Sequence, residues 1–234
     1  MIDLHSHILP GIDDGARNFD ESIEIIRELH SHGIRGVVAT PHYIKETKFI
    51  FPIVDNKAIL EELKKGLKAK RIDMDLYLGN EIYIDKDIMK LIANGEISPL
   101  ADSRFLLIEL PLDEEFPNYD DYLSNLIANG YEVVLAHPER YLIAQENYSV
   151  LDDLHELGVL FQCNFGSIGG KYGKSAQKLV KKLAKDKKIF AFGSDSHRVG
   201  GGRYIDYALK KLLKYYSEEE LKELLVENPK RIVS

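Results

Sequence analysis

Two histidines near the start of the chain have the spacing of a metal site. His5 and His7 close a short apolar run that begins at Ile2. Because the side chains of a strand alternate between its two faces, residues two apart point to the same side. Two neutral imidazoles that converge in this way make half of a site for a divalent cation. An isolated His-x-His is usually a chance pair, so the interpretation depends on the residues at the ends of the later strands.

Residues of metal-ligating types recur at the ends of the later predicted strands or in the loops just after them. The strands are predicted at 2–5, 36–40, 75–78, 104–110, 132–136, 159–162 and 189–192. The candidate ligands are His5, His7, Asp14, His42, Glu81, Glu109, His137, Asp195 and His197. The remaining histidines, His30, His32 and His155, fall in predicted helices and are interpreted as surface residues. Nine unpaired polar groups in one place would repel one another or need desolvation, and metal ions are the simplest neutraliser.

The elements that must position these residues alternate between strands and helices along the chain. Asn18 is predicted to cap the first helix with Glu21 as its capping-box partner, and Ser217 and Glu220 are predicted to do the same for the last. This alternation predicts parallel strands joined by crossover helices. No Gly-x-Gly-x-x-Gly follows the first strand, and polar groups at strand ends are typical of a closed barrel. We therefore predict an α/β fold, a distorted seven-stranded (β/α)7 barrel, as a single domain over residues 1–234.

Composition narrows the class of protein. The chain has 234 residues, 44% apolar and 29% charged, which is ordinary for a soluble globular domain. No apolar run approaches the roughly 18 residues of a membrane span, and no signal-peptide profile is present, so we expect no membrane insertion. Cys163 is the only cysteine, which excludes an internal disulfide and favours a cytoplasmic location. The net charge of −7 argues against general nucleic-acid binding.

Five stretches of sequence together resemble a known family. They are DLHSHILPGIDDGA (3–16), TPH (40–42), LLIELP (106–111), AHPERY (136–141) and GSDSH (193–197). Their combination is similar to the polymerase-and-histidinol-phosphatase (PHP) superfamily, with its early His-x-His and late Asp-x-His. Within that superfamily the chain resembles the bacterial PHP-type protein-tyrosine phosphatases of capsule and exopolysaccharide operons. The matching stretches span almost the whole chain.

The resemblance implies a trinuclear centre, with manganese as the first expectation and iron or zinc as alternatives. By this carry-over His5, His7, Glu81 and Asp195 hold the first metal. Glu81 bridges to a second metal, held also by Glu109 and His137, and Asp14, His42 and His197 hold the third. The implied substrate is a phosphotyrosine protein, an autophosphorylated bacterial tyrosine kinase, through which polysaccharide synthesis would be controlled. Glu81, Arg140 and Arg203 are the implied catalytic residues. Arg198 is the alternative to Arg203 as the arginine that follows the late Asp-x-His.

Charge and leaving-group chemistry agree with this expectation. Three divalent cations bring about +6, and the four carboxylates Asp14, Glu81, Glu109 and Asp195 return about −4, which leaves roughly +2 for a phosphate monoester dianion. A hydroxide bridging two metals is the expected nucleophile, with Arg140 holding the non-bridging oxygens. A tyrosine leaving group has a pKa of about 10, so a strong general acid is not required.

Alternatives and weaker features stay open. The chain could be another PHP phosphoesterase such as a histidinol-phosphate phosphatase, an amidohydrolase, or a PHP domain kept as a non-catalytic binding module. Cys163 lacks the arginine of a Cys-x5-Arg phosphatase loop and is interpreted as inert. The glycine-rich stretch 166–170 could cradle a phosphate or form a tight turn. The eight lysines of the 171–188 segment could attract an acidic partner, although a solvated helix face is the preferred interpretation.

Overall fold

Parallel strands alternate with helices throughout the computed structural model, which describes residues 1–113 and 117–234. The strands are β1 (Ile2–Ser6), β2 (Gly36–Ala39), β3 (His42–Tyr43), β4 (Asp75–Leu78), β5 (Glu81–Tyr83), β6 (Phe105–Glu109), β7 (Glu132–Ala136), β8 (Leu160–Asn164) and β9 (Ile189–Gly193). The helices are α1 (Phe19–Ser31), α2 (Ile53–Ala69), α3 (Ile88–Ala93), α4 (Tyr119–Ala128), α5 (Leu142–Glu146), α6 (Ser149–Glu156), α7 (Phe165–Ile168), α8 (Gly173–Lys185), α9 (Ile205–Leu212), α10 (Glu218–Lys222) and α11 (Asn228–Val233). Among these residues, no helix is long and apolar enough to cross a membrane.

The described strands form two parallel sheets that meet at β1 and β9. The first sheet has the order β1-β2-β4, and the second has the order β3-β5-β6-β7-β8-β9. Two backbone hydrogen bonds join the sheets at this place. The N–H of His7 donates to the carbonyl of Ser196 at 3.1 Å, and the N–H of Asp195 donates to the carbonyl of His5 at 2.8 Å. The carboxyl end of β1 is thereby fixed beside the carboxyl end of β9. The predicted parallel α/β architecture is confirmed.

Two of the predicted strands, β2 and β4, are each followed after a bend by a second short strand that was not predicted. Thr40 and Pro41 separate β2 from β3, and Gly79 and Asn80 separate β4 from β5. Pro41 has no N–H for a sheet ladder. At the second bend the backbone of Gly79 passes so close to Leu100 that a Cβ on Gly79 would lie 2.7 Å from its Cδ2. The bends carry both strands from the first sheet into the second, where His42 pairs directly with Glu81.

The strands bury both of their faces, in two different apolar clusters. Leu106 and Ile108 of β6 belong to a large cluster that also contains helix residues such as Ile26 and Leu183. Leu107, between them, belongs to a smaller cluster. The smaller cluster draws on strands of both sheets through Leu4, Val38, Leu107, Val134 and Ala191. Since neighbouring strand residues point to opposite faces, the helices cover one face while the two sheets pack their other faces together.

The predicted helix caps are confirmed, with one difference. The side chain of Asn18 accepts from the N–H of Glu21 at 3.0 Å, as an N-cap should. The carboxylate of Glu21, however, accepts from the backbone N–H and Nε of Arg17, so the reciprocal half of the predicted capping box is displaced by one residue. At the start of α10, Ser217 and Glu220 form both halves of the box.

Candidate metal centre

The carboxyl ends of the strands bring the predicted ligand residues into one cluster. His5 lies in β1 and His7 just after it, while His42 lies in β3, Glu81 in β5 and Glu109 in β6. Three groupings have ligand atoms that all lie within 4.8 Å of one another: His7 with Asp14, His42 and His197; His5 with His7 and Glu81; and His42 with Glu81 and Glu109. His137 and Asp195 join them, because His137 Nε2 lies 2.9 Å from Glu81 Oε1 and Asp195 Oδ1 lies 3.3 Å from His197 Nδ1. The structure therefore assembles all nine residues.

Glu81 lies at the centre of this cluster, with its side chain 1% exposed. Its Oε2 lies 3.1 Å from His5 Nε2 and 3.2 Å from His7 Nε2. The same oxygen lies 3.1 Å from His42 Nδ1. Its Oε1 faces His137 Nε2. A carboxylate surrounded by four imidazole nitrogens can share its two oxygens between cations on either side.

The donor set fits divalent cations. His5 Nε2 and His7 Nε2 lie 3.1 Å apart, so the lone pairs of two buried imidazoles point into the same space. Among the described residues, His42 Nδ1 is buried without a hydrogen-bond partner, since its approach to Glu81 lacks hydrogen-bond geometry. An unpaired buried nitrogen of this kind is costly unless a cation accepts its lone pair. Imidazole and carboxylate ligands without thiolate suit manganese, iron or zinc.

The electrostatics of the cluster push its acids in opposite directions. Burial by itself would raise the pKa of Glu81, but the charges of His5 and His42 hold that pKa well below its usual range. Burial and the charge of Glu81 raise the pKa of Glu109 well above its usual range. Burial lowers the pKa of His137 to about 4, with Arg140 adding to the shift. A neutral imidazole is the form that binds a metal, so the environment of His137 favours its ligating form.

A second layer of polar residues, not identified from the sequence, orients the ligands. The clearest member is Asp13, whose Oδ2 lies 2.7 Å from His7 Nδ1 and also accepts from the N–H of His42 at 3.0 Å. From β8, Gln162 Oε1 lies 2.8 Å from His5 Nδ1, and Asn164 Nδ2 donates to Asp195 Oδ2 at 2.8 Å. Such partners fix the tautomer and direction of a metal ligand. The signals available in the sequence were the doubled Asp13-Asp14 and the i, i+2 spacing of Gln162 and Asn164.

Comparisons with known proteins decide between the families that share this kind of site. A family model described as "Capsular polysaccharide synthesis, CpsB/CapC" matches residues 1–234. The chain belongs to this family. It is 34% identical to the putative tyrosine-protein phosphatase CapC of Staphylococcus aureus, over 94% of this chain and 87% of that protein. It is 31% identical to the tyrosine-protein phosphatase CpsB of Streptococcus pneumoniae, over 100% of this chain and 98% of that protein.

A solved structure extends the likeness from sequence to fold. It comes from a report on YwqE of Bacillus subtilis and CpsB of Streptococcus pneumoniae, described there as unique metal-dependent tyrosine phosphatases. It superposes with a TM-score of 0.86 at 32% identity and covers 100% of this chain and 94% of that chain. The predicted membership of the capsule-type tyrosine phosphatases is thereby confirmed, in preference to the histidinol-phosphate phosphatases and amidohydrolases.

In this CpsB/CapC-family chain the candidate phosphate-binding arginines differ in position. Arg140 donates through Nη1 to Asp195 Oδ2 at 3.0 Å, and its guanidinium lies 4.5 Å from the ring centroid of Tyr172. Arg203 is exposed and donates to the hydroxyl of Tyr204 at 2.9 Å. Arg198 donates to the carbonyls of Gly15 and His197. Of the three, Arg140 is the one whose guanidinium donates to the side chain of a candidate ligand. Neither Arg198 nor Arg203 does so, and the choice between these two stays a prediction.

The glycine-rich stretch, Cys163 and helix α8 each have a structural role. In the glycine-rich stretch, the N–H groups of Gly169 and Gly170 donate to the carbonyls of Phe165 and Ser167, as in a tight turn, so these two amides are not free to bind a phosphate. Cys163 is fully buried, and burial together with the charge of Glu139 raises the pKa of its thiol well above the usual range. Residues 173–185 of the lysine-rich segment form α8, an amphipathic helix with a buried apolar face, as the preferred interpretation predicted, and Lys171 lies before this helix.

Proposed function

We propose that this chain is a metal-dependent protein-tyrosine phosphatase that hydrolyses phosphotyrosine monoesters. The observation that carries the proposal is Glu81, buried among four histidines in a cluster of imidazoles and carboxylates, in a chain that belongs to the CpsB/CapC family. CpsB of Streptococcus pneumoniae is a tyrosine-protein phosphatase, CapC of Staphylococcus aureus is described as a putative one, and the superposed structure is described as metal-dependent. A non-catalytic role would not require so complete a set of ligand types.

The nine residues would hold three divalent cations, with manganese as the first candidate and iron or zinc as alternatives. His5, His7, Glu81 and Asp195 would hold the first, Glu81, Glu109 and His137 the second, and Asp14, His42 and His197 the third. When bound, the cations would supply Lewis-acid activation of water and neutralise the phosphate charge. Asp13 would hold His7, and Gln162 would hold His5, in the ligating tautomer.

Arg140 would hold the phosphoryl oxygens. One nitrogen of its guanidinium is used on Asp195, and the face of the guanidinium rests on Tyr172, so the fork is oriented before substrate arrives. A preoriented guanidinium can donate from its remaining N–H groups to a phosphate. Its side chain is 22% exposed, which leaves it accessible from the mouth of the site.

An aromatic side chain at the rim supports an aryl substrate. The ring of Phe49 lies 5.8 Å from the ring of His42, centroid to centroid, and Phe49 is only partly buried. Aromatic pairs are most favourable in offset or edge-to-face arrangements at such distances. A phosphotyrosine ring entering over His42 would therefore meet an apolar surface, and a departing phenolate needs little protonation.

The proposal also includes the barrel architecture, the second phosphate-binding arginine, the protein substrate and its biological role. The cluster of Leu4, Val38, Leu107, Val134 and Ala191 supports one distorted seven-stranded barrel, with each bent strand counted once. We propose Arg203 as the second phosphate-binding arginine, because it lines the same recess as His197 and, unlike Arg198, donates to no backbone carbonyl among the described residues. The substrate would be a phosphotyrosine protein, a bacterial tyrosine kinase, in the cytoplasm, and its dephosphorylation would regulate capsule or exopolysaccharide synthesis.

The decisive experiment is a substrate panel on metal-loaded protein. Purified protein is loaded with Mn²⁺ and assayed with a phosphotyrosine peptide, a phosphoserine peptide of the same sequence, and histidinol phosphate. We expect turnover of the phosphotyrosine peptide above the others, loss of that turnover after chelation, and recovery on adding Mn²⁺. Preferred hydrolysis of histidinol phosphate, or activity that survives complete chelation, would contradict the proposal.

A cysteine variant separates this chemistry from that of cysteine-dependent phosphatases. Cys163 is fully buried and belongs to the apolar cluster under the helices. We expect Cys163→Ala to retain most of the metal-dependent turnover, and Cys163→Ser to retain it wherever the variant folds. Loss of turnover in a folded Cys163→Ala protein with full metal content would argue for a thiol nucleophile.

A further inference from the structure

A cationic recess lies beside the metal centre. Its volume is about 230 Å³, and the charged side chains that line it are Lys171, Arg198 and Arg203. His197, one of the nine candidate ligands, forms part of the same wall. The recess therefore opens next to the place where a phosphotyrosine would be bound.

The charge of the recess is not neutralised from within. No carboxylate is among its lining residues. In the part of the chain that the structure describes, neither Lys171 nor Arg203 forms an ion pair, and Arg198 has only a 3.9 Å approach to Glu21. The chain as a whole has 38 acidic and 31 basic side chains, so a group of unpaired cations has the opposite sign to the net charge of the protein. Three cations kept together cost free energy unless an anion joins them.

The glycine-rich stretch gives these side chains the room they occupy. A Cβ on Gly169 would lie 2.3 Å from Cδ1 of Tyr204, so the Tyr204 ring packs directly on the backbone there. That ring in turn supports Arg203, whose guanidinium lies 4.8 Å from its centroid and donates to its hydroxyl. A Cβ on Gly166 would lie 3.0 Å from Cδ of Lys171, so the lysine stem also lies close to the turn. The recess is thus shaped by α7 and the turn after it.

Lys171 is linked to the metal centre through its neighbour in the chain. The Lys171 ammonium lies 4.7 Å from the ring centroid of Tyr172, and the hydroxyl of Tyr172 donates to Asp195 Oδ2 at 3.0 Å. The guanidinium of Arg140 also contacts this ring, at 4.5 Å from its centroid. One aromatic ring thus connects the proposed phosphate-binding guanidinium with the recess.

We infer that this recess binds a carboxylate side chain that neighbours the phosphotyrosine in the substrate polypeptide. The inference rests on the proposed function and adds the substrate class, a phosphotyrosine with an acidic residue close to it. Lys171 and Arg198 both line the recess, so a carboxylate bound there would meet two positive charges, whereas an amide would leave them unneutralised. Charge-assisted hydrogen bonds of this kind favour the acidic partner over its neutral isostere.

The test compares two peptides that differ in one functional group. Both carry phosphotyrosine, one flanked by glutamates and the other by glutamines, and p-nitrophenyl phosphate serves as a substrate without flanking residues. For the metal-loaded wild type we expect kcat/KM for the glutamate peptide to exceed that for the glutamine peptide about ten-fold. Lys171→Ala should reduce this ratio to about three-fold or less, and Lys171→Glu should abolish it. Turnover of p-nitrophenyl phosphate should stay within about two-fold of wild type in both variants.

A matched control comes from the same helix region. Lys174 is also exposed but does not line the recess. Lys174→Ala should keep the wild-type preference, which separates the recess from the general charge of α8. Equal turnover of the two peptides by the wild type would overturn the inference while leaving the phosphatase activity intact. An equal loss on all three substrates in Lys171→Ala would also overturn it, because the lysine would then belong to the phosphate site.

An inactive protein would still allow the recess to be tested. If none of the three substrates is hydrolysed, the proposed function fails, and fluorescence anisotropy of the labelled peptides replaces the kinetic readout. Tighter binding of the glutamate peptide to the wild type, lost in Lys171→Glu, supports the recess independently of catalysis. Equal binding of the two peptides overturns it.

Discussion

Arg140 donates through Nη1 to Oδ2 of Asp195 at 3.0 Å, which ties a candidate phosphate-binding residue to a candidate metal ligand. The same oxygen accepts from Asn164 and Tyr172, at 2.8 Å and 3.0 Å. Three donors therefore saturate Oδ2 and leave Oδ1 facing His5, His7 and His197. Asp195 is thus oriented to offer a single oxygen to the cluster.

Replacing this guanidinium tests whether Arg140 binds phosphate or only braces Asp195. Arg140→Lys keeps a positive charge but loses the planar fork that meets a phosphoryl group with two donors. We expect kcat/KM to fall ten-fold or more, about the loss of one charge-assisted hydrogen bond, for phosphotyrosine peptides and small aryl phosphates alike. Metal content and Tm should stay near wild type, because Asn164 and Tyr172 still hold Asp195. Normal turnover, or loss of metal, would show a purely structural role.

The candidate ligands should be unequal in their effect on metal content. Glu81 contacts four histidines with its two oxygens, whereas His42 lies toward the rim with its side chain 12% exposed. Glu81→Ala removes the charge that neighbouring cations would share and should empty more than one position. His42→Ala should lower the metal content by about one ion per chain or less. Inductively coupled plasma analysis measures both, with exposed His155→Ala as control, and an equal loss would count against the bridging assignment.

Asp13 should act on metal affinity without being a ligand. Its side chain is 1% exposed and lies 2.7 Å from His7 Nδ1. Burial alone would raise the pKa of Asp13, but the charge of His7 and its hydrogen bond lower that pKa by more, so Asp13 stays ionised. Removing such a partner typically costs about 10–100-fold in metal affinity. We expect Asp13→Ala to raise the Mn²⁺ concentration needed for half-maximal activity by that factor, with full activity at saturation. The exposed Asp73→Ala is the matched control, and a loss of kcat at saturating metal would place Asp13 in the chemistry instead.

The gathering of the nine candidate ligands could be predicted because it follows from topology. In a parallel α/β fold every strand delivers its carboxyl end to the same edge, so residues such as His5, His42 or His137 meet without any knowledge of their rotamers. The bends at Thr40-Pro41 and Gly79-Asn80 could not be predicted in the same way. β3 and β5 have two and three residues, too few for any periodicity to indicate a strand.

The roles of side chains outside the first layer depended on information that a sequence pattern does not contain. Asp13 and Asp14 are adjacent and of identical type, and only the backbone of the loop decides that Asp13 turns toward His7 while Asp14 has its side chain 56% exposed. Arg198 donates to the carbonyl of Gly15, which is remote in sequence, and to that of the adjacent His197. Arg203 donates to the hydroxyl of the adjacent Tyr204. A long side chain can bind any of several such partners with little difference in free energy, so the spacing in the sequence could not show which partner each arginine binds.

A buried carboxyl group beside the centre gives a prediction on pH. Asp3 is fully buried, and its Oδ1 accepts from the N–H groups of His5 at 3.2 Å and Ser194 at 2.9 Å, while its Oδ2 has no partner among the described residues. Burial raises the pKa of Asp3 to about 6, against 3.8 for the free side chain. A folded-state pKa above the unfolded one means that the fold prefers the protonated acid. The contribution of Asp3 to stability is therefore present below about pH 4 and is lost as the pH rises through about 6.

Asp3→Asn isolates this contribution, because the amide keeps the acceptor oxygen for His5 and Ser194 and does not ionise. The difference in unfolding free energy between the variant and the wild type, followed by denaturant titration from pH 4 to pH 8, should move in favour of the variant as the pH rises. The difference between a pKa of 3.8 in the unfolded chain and about 6 in the folded protein corresponds to about 2–3 kcal/mol over that range. Taking the difference at each pH cancels the titration of the metal ligands, which both proteins share. A difference that stays constant from pH 4 to pH 8 would show that Asp3 is ionised in the folded protein at all these pH values.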